Sequence, residues 1–135
     1  MLMLSCEPST LRVMVVDDHD LTRLTLQIAL ECQKNIQVVG FASNGRDALQ
    51  LVQREKPDVV ILDLQMPLMD GWTASRQIKA IAHSTKIIVY SSQEENKLSP
   101  DQRVQGEWDA FCSKDIPTLD LIKLVRELGN QSKAE

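Results

Sequence analysis

Five short runs rich in β-branched and apolar residues recur along the chain, each separated from the next by a stretch in which apolar residues fall at helical spacing. That alternation is what a parallel sheet covered by helices on both faces demands, because consecutive parallel strands have to be joined by crossovers. The strand candidates are Leu11 to Val16, Ile36 to Phe41, Asp58 to Leu62, Lys86 to Tyr90 and Asp109 to Cys112. Several are nearly continuous apolar runs, as strands buried on both faces are. Between and after them, Leu21, Leu24 and Ile28, then Ala48, Leu51 and Val52, then Ala74, Ile78 and Ile81, then Leu121, Leu124, Val125 and Leu128 read as one-sided helical stripes. Asn44-Gly45 and Asp70-Gly71 open the second and third helices, and Pro57 closes the second. The expected fourth helix, between Ser92 and Asp109, is the weak element. Ser99-Pro100-Asp101 interrupts it, and proline inside a helix costs about 3 kcal/mol, so a short or broken helix, or one restarted at Pro100, is expected.

A chain of 135 residues holds one domain with a full core. The expected division is an N-terminal extension over 1–10, one domain over 11–128 and a polar tail over 129–135, with no space expected for an output domain. Apolar content of 43% and charged content of 25% are ordinary for a globular protein. A formal net charge of -4 argues against the broad positive field that nucleic-acid binding needs, so no nucleic-acid partner is expected. The opening Met-Leu-Met-Leu-Ser-Cys lacks the basic flank and the length of an export signal, and no apolar run is long enough to span a bilayer. The expected location is therefore cytoplasmic, away from membranes. Cys6, Cys32 and Cys112 are odd in number and widely spaced, which predicts reduced thiols, with Cys112 in the core.

In open α/β sheets ligands bind beyond the carboxyl ends of the strands, and four of the five strands here finish in polar groups. The first ends in Asp17-Asp18, the third in Asp63, the fourth in Ser91, and the fifth runs through Phe111-Cys112-Ser113 to Lys114. With strand order 2-1-3-4-5, the first and third strands are neighbours about 4.8 Å apart, and three carboxylates meet in one small volume. Like charges so close raise one another's pKa unless a cation offsets them. Magnesium suits the place, since it accepts one or two carboxylates, keeps several waters and can also take a phosphate oxygen. Lys114 brings a positive charge and Ser91 a hydroxyl, so Asp63 becomes a nucleophilic carboxylate within a ring of electrophiles. Singly, each residue has a plainer reading. The aspartates could be turn formers, Ser91 and Ser92 helix caps, and Lys114 a solvated loop lysine. Their occurrence together at four strand ends favours a site.

Val15-Val16-Asp17-Asp18-His19, the run from Val59 to Gly71 containing Asp63-Leu64-Gln65-Met66-Pro67-Leu68-Met69-Asp70-Gly71, Ile87 to Ser92, and Ala110-Phe111-Cys112-Ser113-Lys114 stand in a familiar order. The chain resembles the receiver domains of two-component response regulators from about Leu11 to Leu128, and the Asp63 to Gly71 segment is its most specific part. The resemblance implies a flavodoxin-like, doubly wound five-stranded parallel sheet with five helices. It implies Asp63 as phosphoacceptor and Mg2+ as cofactor. Asp18 and Asp63 would be direct ligands, Asp17 would act through water, and the Gln65 carbonyl would complete the set. Ser91 and Lys114 would hold the phosphoryl oxygens, and Ser91 and Phe111 would form the switch. Gln65 and Gln93 match positions that tune the lifetime of the phosphoryl group. The implied partners are a sensor histidine kinase or a phosphotransfer protein, and a downstream protein reading the face of the fourth helix, fifth strand and fifth helix, with a homodimer possible. His19 and His83 are expected to be peripheral.

Two departures stand out: Glu107-Trp108 replace the family's usual Gly-Ala, and Asp115 follows Lys114 where the family often has proline. Trp108 reads as a plug at the core edge or an anchor on the output face. The rival readings are a scaffold that binds partners independently of phosphate and an aspartate-based phosphatase of the haloacid dehalogenase type. The second needs an Asp two positions after the nucleophile, and Gln65 stands there. The protein is thus expected to be a switch rather than an enzyme.

Overall fold

A computed structural model of the chain describes residues 10–92, 98, 100 and 106–134. The elements run β1 (Leu11–Val16), α1 (Asp20–Glu31), β2 (Ile36–Ala42), α2 (Gly45–Glu55), β3 (Val59–Leu62), α3 (Gly71–Ile81), β4 (Lys86–Ser91), β5 (Ala110–Ser113) and α4 (Thr118–Ala134). All strands are parallel, in the order β2-β1-β3-β4-β5 expected of a flavodoxin-like sheet. The last helix is the fifth of those expected. The fourth falls largely outside the described residues, as do Gln93 and the N-terminal extension up to Ser9.

Alternation along each strand divides the core into two layers. Leu11, Val13, Val15, Ile61 and Ile88 point to one face and meet Leu26 and Leu30 of α1 and Leu121 and Val125 of α4. Met14, Val16, Val60, Leu62 and Ile87 point to the other and meet Ala48 and Val52 of α2 and Ile78 of α3. Each fully buried aliphatic side chain contributes roughly 1.5–3 kcal/mol, so the sheet is held from both sides and its carboxyl edge is a fixed platform. Cys112 is buried and its thiol is pushed up by that burial, whereas Cys32 is exposed, and neither is in a disulfide.

The expected caps are present. Asn44 accepts a hydrogen bond from the Asp47 amide and Asp70 one from the Thr73 amide, each at 2.8 Å, satisfying amides that the helix itself cannot. The α1 stripe requires correction. Leu21, Leu24 and Ile28 are 75, 52 and 57% exposed, and the helix instead buries Leu26 and Leu30. Two apolar stripes share this helix, and spacing cannot choose between them; contact with the sheet does. The C-terminus differs as well. α4 runs on to Ala134, where a patternless tail was expected, because Gly129 and Ser132 are buried against the domain and extend its contact beyond the apolar stripe. Among the described residues no helix is long and apolar enough to cross a membrane.

Candidate functional site

Register brings the acidic residues together. Val16 of β1 pairs with Leu62 of β3, and the Asp63 amide donates to the Val16 carbonyl at 2.9 Å, so Asp17 and Asp63 leave neighbouring strands side by side. On the other flank Ser91 pairs with Ser113, and the Lys114 amide donates to the Ser91 carbonyl at 2.8 Å. That bond delivers the Lys114 side chain across the strand ends, with Nζ 2.9 Å from Asp17 Oδ2 and 3.8 Å from Asp63 Oδ2. Gly71 lets α3 start directly over the end of β3, since a Cβ there would lie 2.2 Å from the Asp63 carbonyl oxygen and 2.5 Å from Leu64 Cα. No side chain larger than hydrogen fits without moving the backbone that carries Asp63.

Asp63 is 4% exposed, and its Oδ1 accepts a 3.3 Å hydrogen bond from the Gln65 amide, while Oδ2 is buried with no hydrogen-bond partner. Burial, and then the charge of Asp17, push its carboxyl up to about 6, against the lowering effect of Lys114. A buried anion so poorly satisfied is costly, and a cation is the usual remedy. Carboxylate oxygens of Asp17, Asp18 and Asp63, together with an imidazole nitrogen of His19, all lie within 4.8 Å of one another. Hard oxygen donors around an orphaned buried carboxylate oxygen fit a divalent ion such as magnesium.

Of the residues singled out from sequence, Asp17, Asp18, Asp63 and Lys114 meet directly, and Ser91 lies buried at the end of β4 beside them. Gln65 is exposed just past Asp63. Phe111 is half-buried on β5, edge-to-face with Trp108 at 5.8 Å between centroids. Trp108 plugs the core edge, touching both the Met14 layer and a small cluster of Leu64, Val89 and Leu98. Gly106 makes that possible, because a Cβ there would lie 2.0 Å from the indole. The Lys114–Asp115 bond is trans. His83 is exposed beyond α3, as expected. His19 is not peripheral: its Nδ1 lies 2.9 Å from Asp17 Oδ1 and 3.1 Å from Asp18 Oδ1, and the Asp17 bond raises its pKa. Its place directly after the acidic pair was the available signal.

A family model for the response regulator receiver domain matches residues 13–126. The response regulator GacA of Pseudomonas aeruginosa is 32% identical over 118 residues, covering 87% of this chain and 55% of that protein. A protein-glutamate methylesterase/protein-glutamine glutaminase 2 of Photobacterium profundum is 37% identical over 107 residues, 78% of this chain and 27% of that protein. The chain thus spans a little over half of one relative and about a quarter of the other. Among solved structures, the signal receiver domain of the putative response regulator NarL from Mycobacterium tuberculosis superposes with a TM-score of 0.80 at 30% identity, covering 91% of this chain and 98% of that one. The response regulator domain of Thermotoga maritima CheB gives 0.79 at 29% identity, covering 90 and 97%.

Proposed function

We propose, from the premise that this chain belongs to the response regulator receiver domain family, that it is switched by transfer of a phosphoryl group to Asp63. The observation that carries the reading is the Asp63 Oδ2 atom, buried without a hydrogen-bond partner between Asp17 and Lys114. The donor is a phosphohistidine on a sensor histidine kinase or a phosphotransfer protein. An Asp63 carboxylate oxygen attacks phosphorus, the P–N bond breaks, and the imidazole leaves with the bonding pair. The acyl phosphate that forms carries its charge on oxygens facing Lys114 and Ser91.

Asp17, Asp18 and Asp63, with the Gln65 carbonyl, would hold Mg2+, which supplies positive charge to the phosphoryl oxygens when bound. Lys114 holds the opposite side, and its amine already lies within ion-pair reach of both Asp17 and Asp63. Its Nζ neutralises charge that develops during transfer, the electrostatic stabilisation on which phosphoryl transfer mainly depends. The Ser91 hydroxyl donates to a phosphoryl oxygen, and Phe111 on the paired strand takes up the space the hydroxyl vacates. The modification thereby biases a two-state equilibrium that a downstream protein reads at β5 and α4. Location in the cytoplasm and action as a switch rather than an enzyme belong to the same reading. Neither rival is favoured: the acidic set is complete, which a phosphate-independent scaffold does not need, and Gln65 cannot serve as a phosphatase's general acid.

Incubation with acetyl phosphate and Mg2+ tests the reading. Intact-mass measurement should show one added phosphoryl group, and Asp63→Asn should abolish it. Undiminished labelling of the variant would refute the assignment.

A further inference from the structure

The fourth donor at the carboxylate cluster is a nitrogen. His19 is the N-cap residue of α1, yet its side chain makes no capping hydrogen bond. The ring turns back over the strand ends, with Nδ1 within hydrogen-bond range of Asp17 Oδ1 and Asp18 Oδ1 and 4.0 Å from Asp63 Oδ2. Its backbone is tied to the same place, for the His19 amide donates to Asp17 Oδ1 at 2.9 Å. The backbone that carries the ring is therefore held beside the pocket by a bond that does not involve the ring. A histidine that merely paired with surface carboxylates would leave nothing unsatisfied beneath it, whereas the buried Asp63 Oδ2 has no hydrogen-bond partner and belongs to the same cluster.

We propose that His19 supplies an imidazole ligand to the divalent ion held at this site, and so tilts the site from magnesium toward first-row transition ions such as cobalt or nickel. The inference rests on the reading that Asp17, Asp18 and Asp63 hold a divalent cation. Carboxylate and carbonyl oxygens alone suit magnesium, calcium and manganese, whereas an added imidazole favours the ions further along the first transition row. Ligation through Nδ1 requires that the ring proton sit on Nε2. A proton held on Nδ1 by Asp17 and Asp18 is displaced to solvent as the ion enters, and a side chain 64% exposed leaves Nε2 within reach of water. Asp18 Oδ1, and Asp17 Oδ1 alongside the amide bond it keeps, then face the ion in place of the Nδ1 proton.

The test uses the untagged chain, so that its own two histidines are the only imidazoles present. His83 lies on the far side, lining a separate cavity with Pro57 and Thr85 at the amino ends of the strands. Pulsed electron paramagnetic resonance of the Mn2+-loaded protein should show imidazole nitrogen modulation, and His19→Asn, which keeps a good N-cap residue, should lose it while still binding Mn2+. Calorimetry should show the Co2+ dissociation constant rising about tenfold or more in the variant, with that for Mg2+ changing less than about threefold. Mn2+ bound without nitrogen modulation, or an unchanged Co2+ to Mg2+ preference in the variant, would overturn the role of His19 and leave the carboxylate site standing. Failure of both Mn2+ and Mg2+ to bind would overturn the carboxylate site itself.

Discussion

Asp63→Asn should make the ion-free protein more stable at neutral pH. Asn has the shape of the carboxyl group and keeps an acceptor for the Gln65 amide, but it removes a buried charge that sits beside Asp17. The folded-state pKa of Asp63, about 6, lies above the ordinary 3.8, so the folded protein binds this proton more tightly than the unfolded chain does. The corresponding stability is fully present below the unfolded value and is lost as pH rises from 3.8 through about 6. One pH unit is worth about 1.4 kcal/mol, which gives at most ~3 kcal/mol across that window; relaxation of the groups around the buried charge reduces it to about 2 kcal/mol. Urea denaturation in EDTA at about pH 7.5 should therefore show the variant more stable by about 2 kcal/mol, and at about pH 4 by less than about 0.5 kcal/mol. A variant that is less stable at the higher pH, or whose advantage is the same at both, would refute the claim that Asp63 is a strained buried anion.

On α1, Leu26→Ala should cost roughly 2–4 kcal/mol and Leu24→Ala less than about 0.5 kcal/mol by denaturation, and equal losses would mean that the helix buries its other stripe. Gly71→Ala forces a methyl group against the Asp63 carbonyl and Leu64 Cα, so a loss of about 1–3 kcal/mol and displaced amide resonances at Asp63 and Leu64 are expected; a neutral variant would show that α3 does not sit this close. Lys114→Ala removes the cation that lowers the Asp63 carboxyl, so the Asp63 titration followed by nuclear magnetic resonance should move upward, and an unchanged midpoint would contradict the geometry. Modification of the parent protein should change its tryptophan fluorescence, and the same variant should take up a phosphoryl group without that change. A full change would mean that Lys114 does not couple the two.

What was legible in the sequence was whatever depends on periodicity or on position along a strand. Strands such as Val59–Leu62 announce themselves because a strand buried on both faces has to be apolar throughout, and Asp63 stands out as the first polar residue after one. Asn44 and Asp70 were readable as caps because the chemistry of an N-cap is local. The α1 face was not readable, since Leu24/Ile28 and Leu26/Leu30 satisfy the same spacing and only the position of the sheet separates them. Nor was the direction of the His19 ring, which depends on where Asp17 stands after β1 and β3 have paired. The last turns of α4 were hidden for a related reason: Gly129 and Ser132 are buried without being apolar, and hydropathy does not register a small residue accommodated by a neighbour.

Among the described residues, the indole of Trp108 alone joins two clusters of the core. It rests on the layer beneath α2 and α3, on the cluster around Leu64, and on the ring of Phe111. Movement of Phe111 beyond the slack of an edge-to-face pair would press on the indole, which also lies so close to Gly106 that a Cβ there would come within 2.0 Å of it. Displacement at one aromatic ring on this border of the sheet would therefore be passed to the layer beneath α2 and α3.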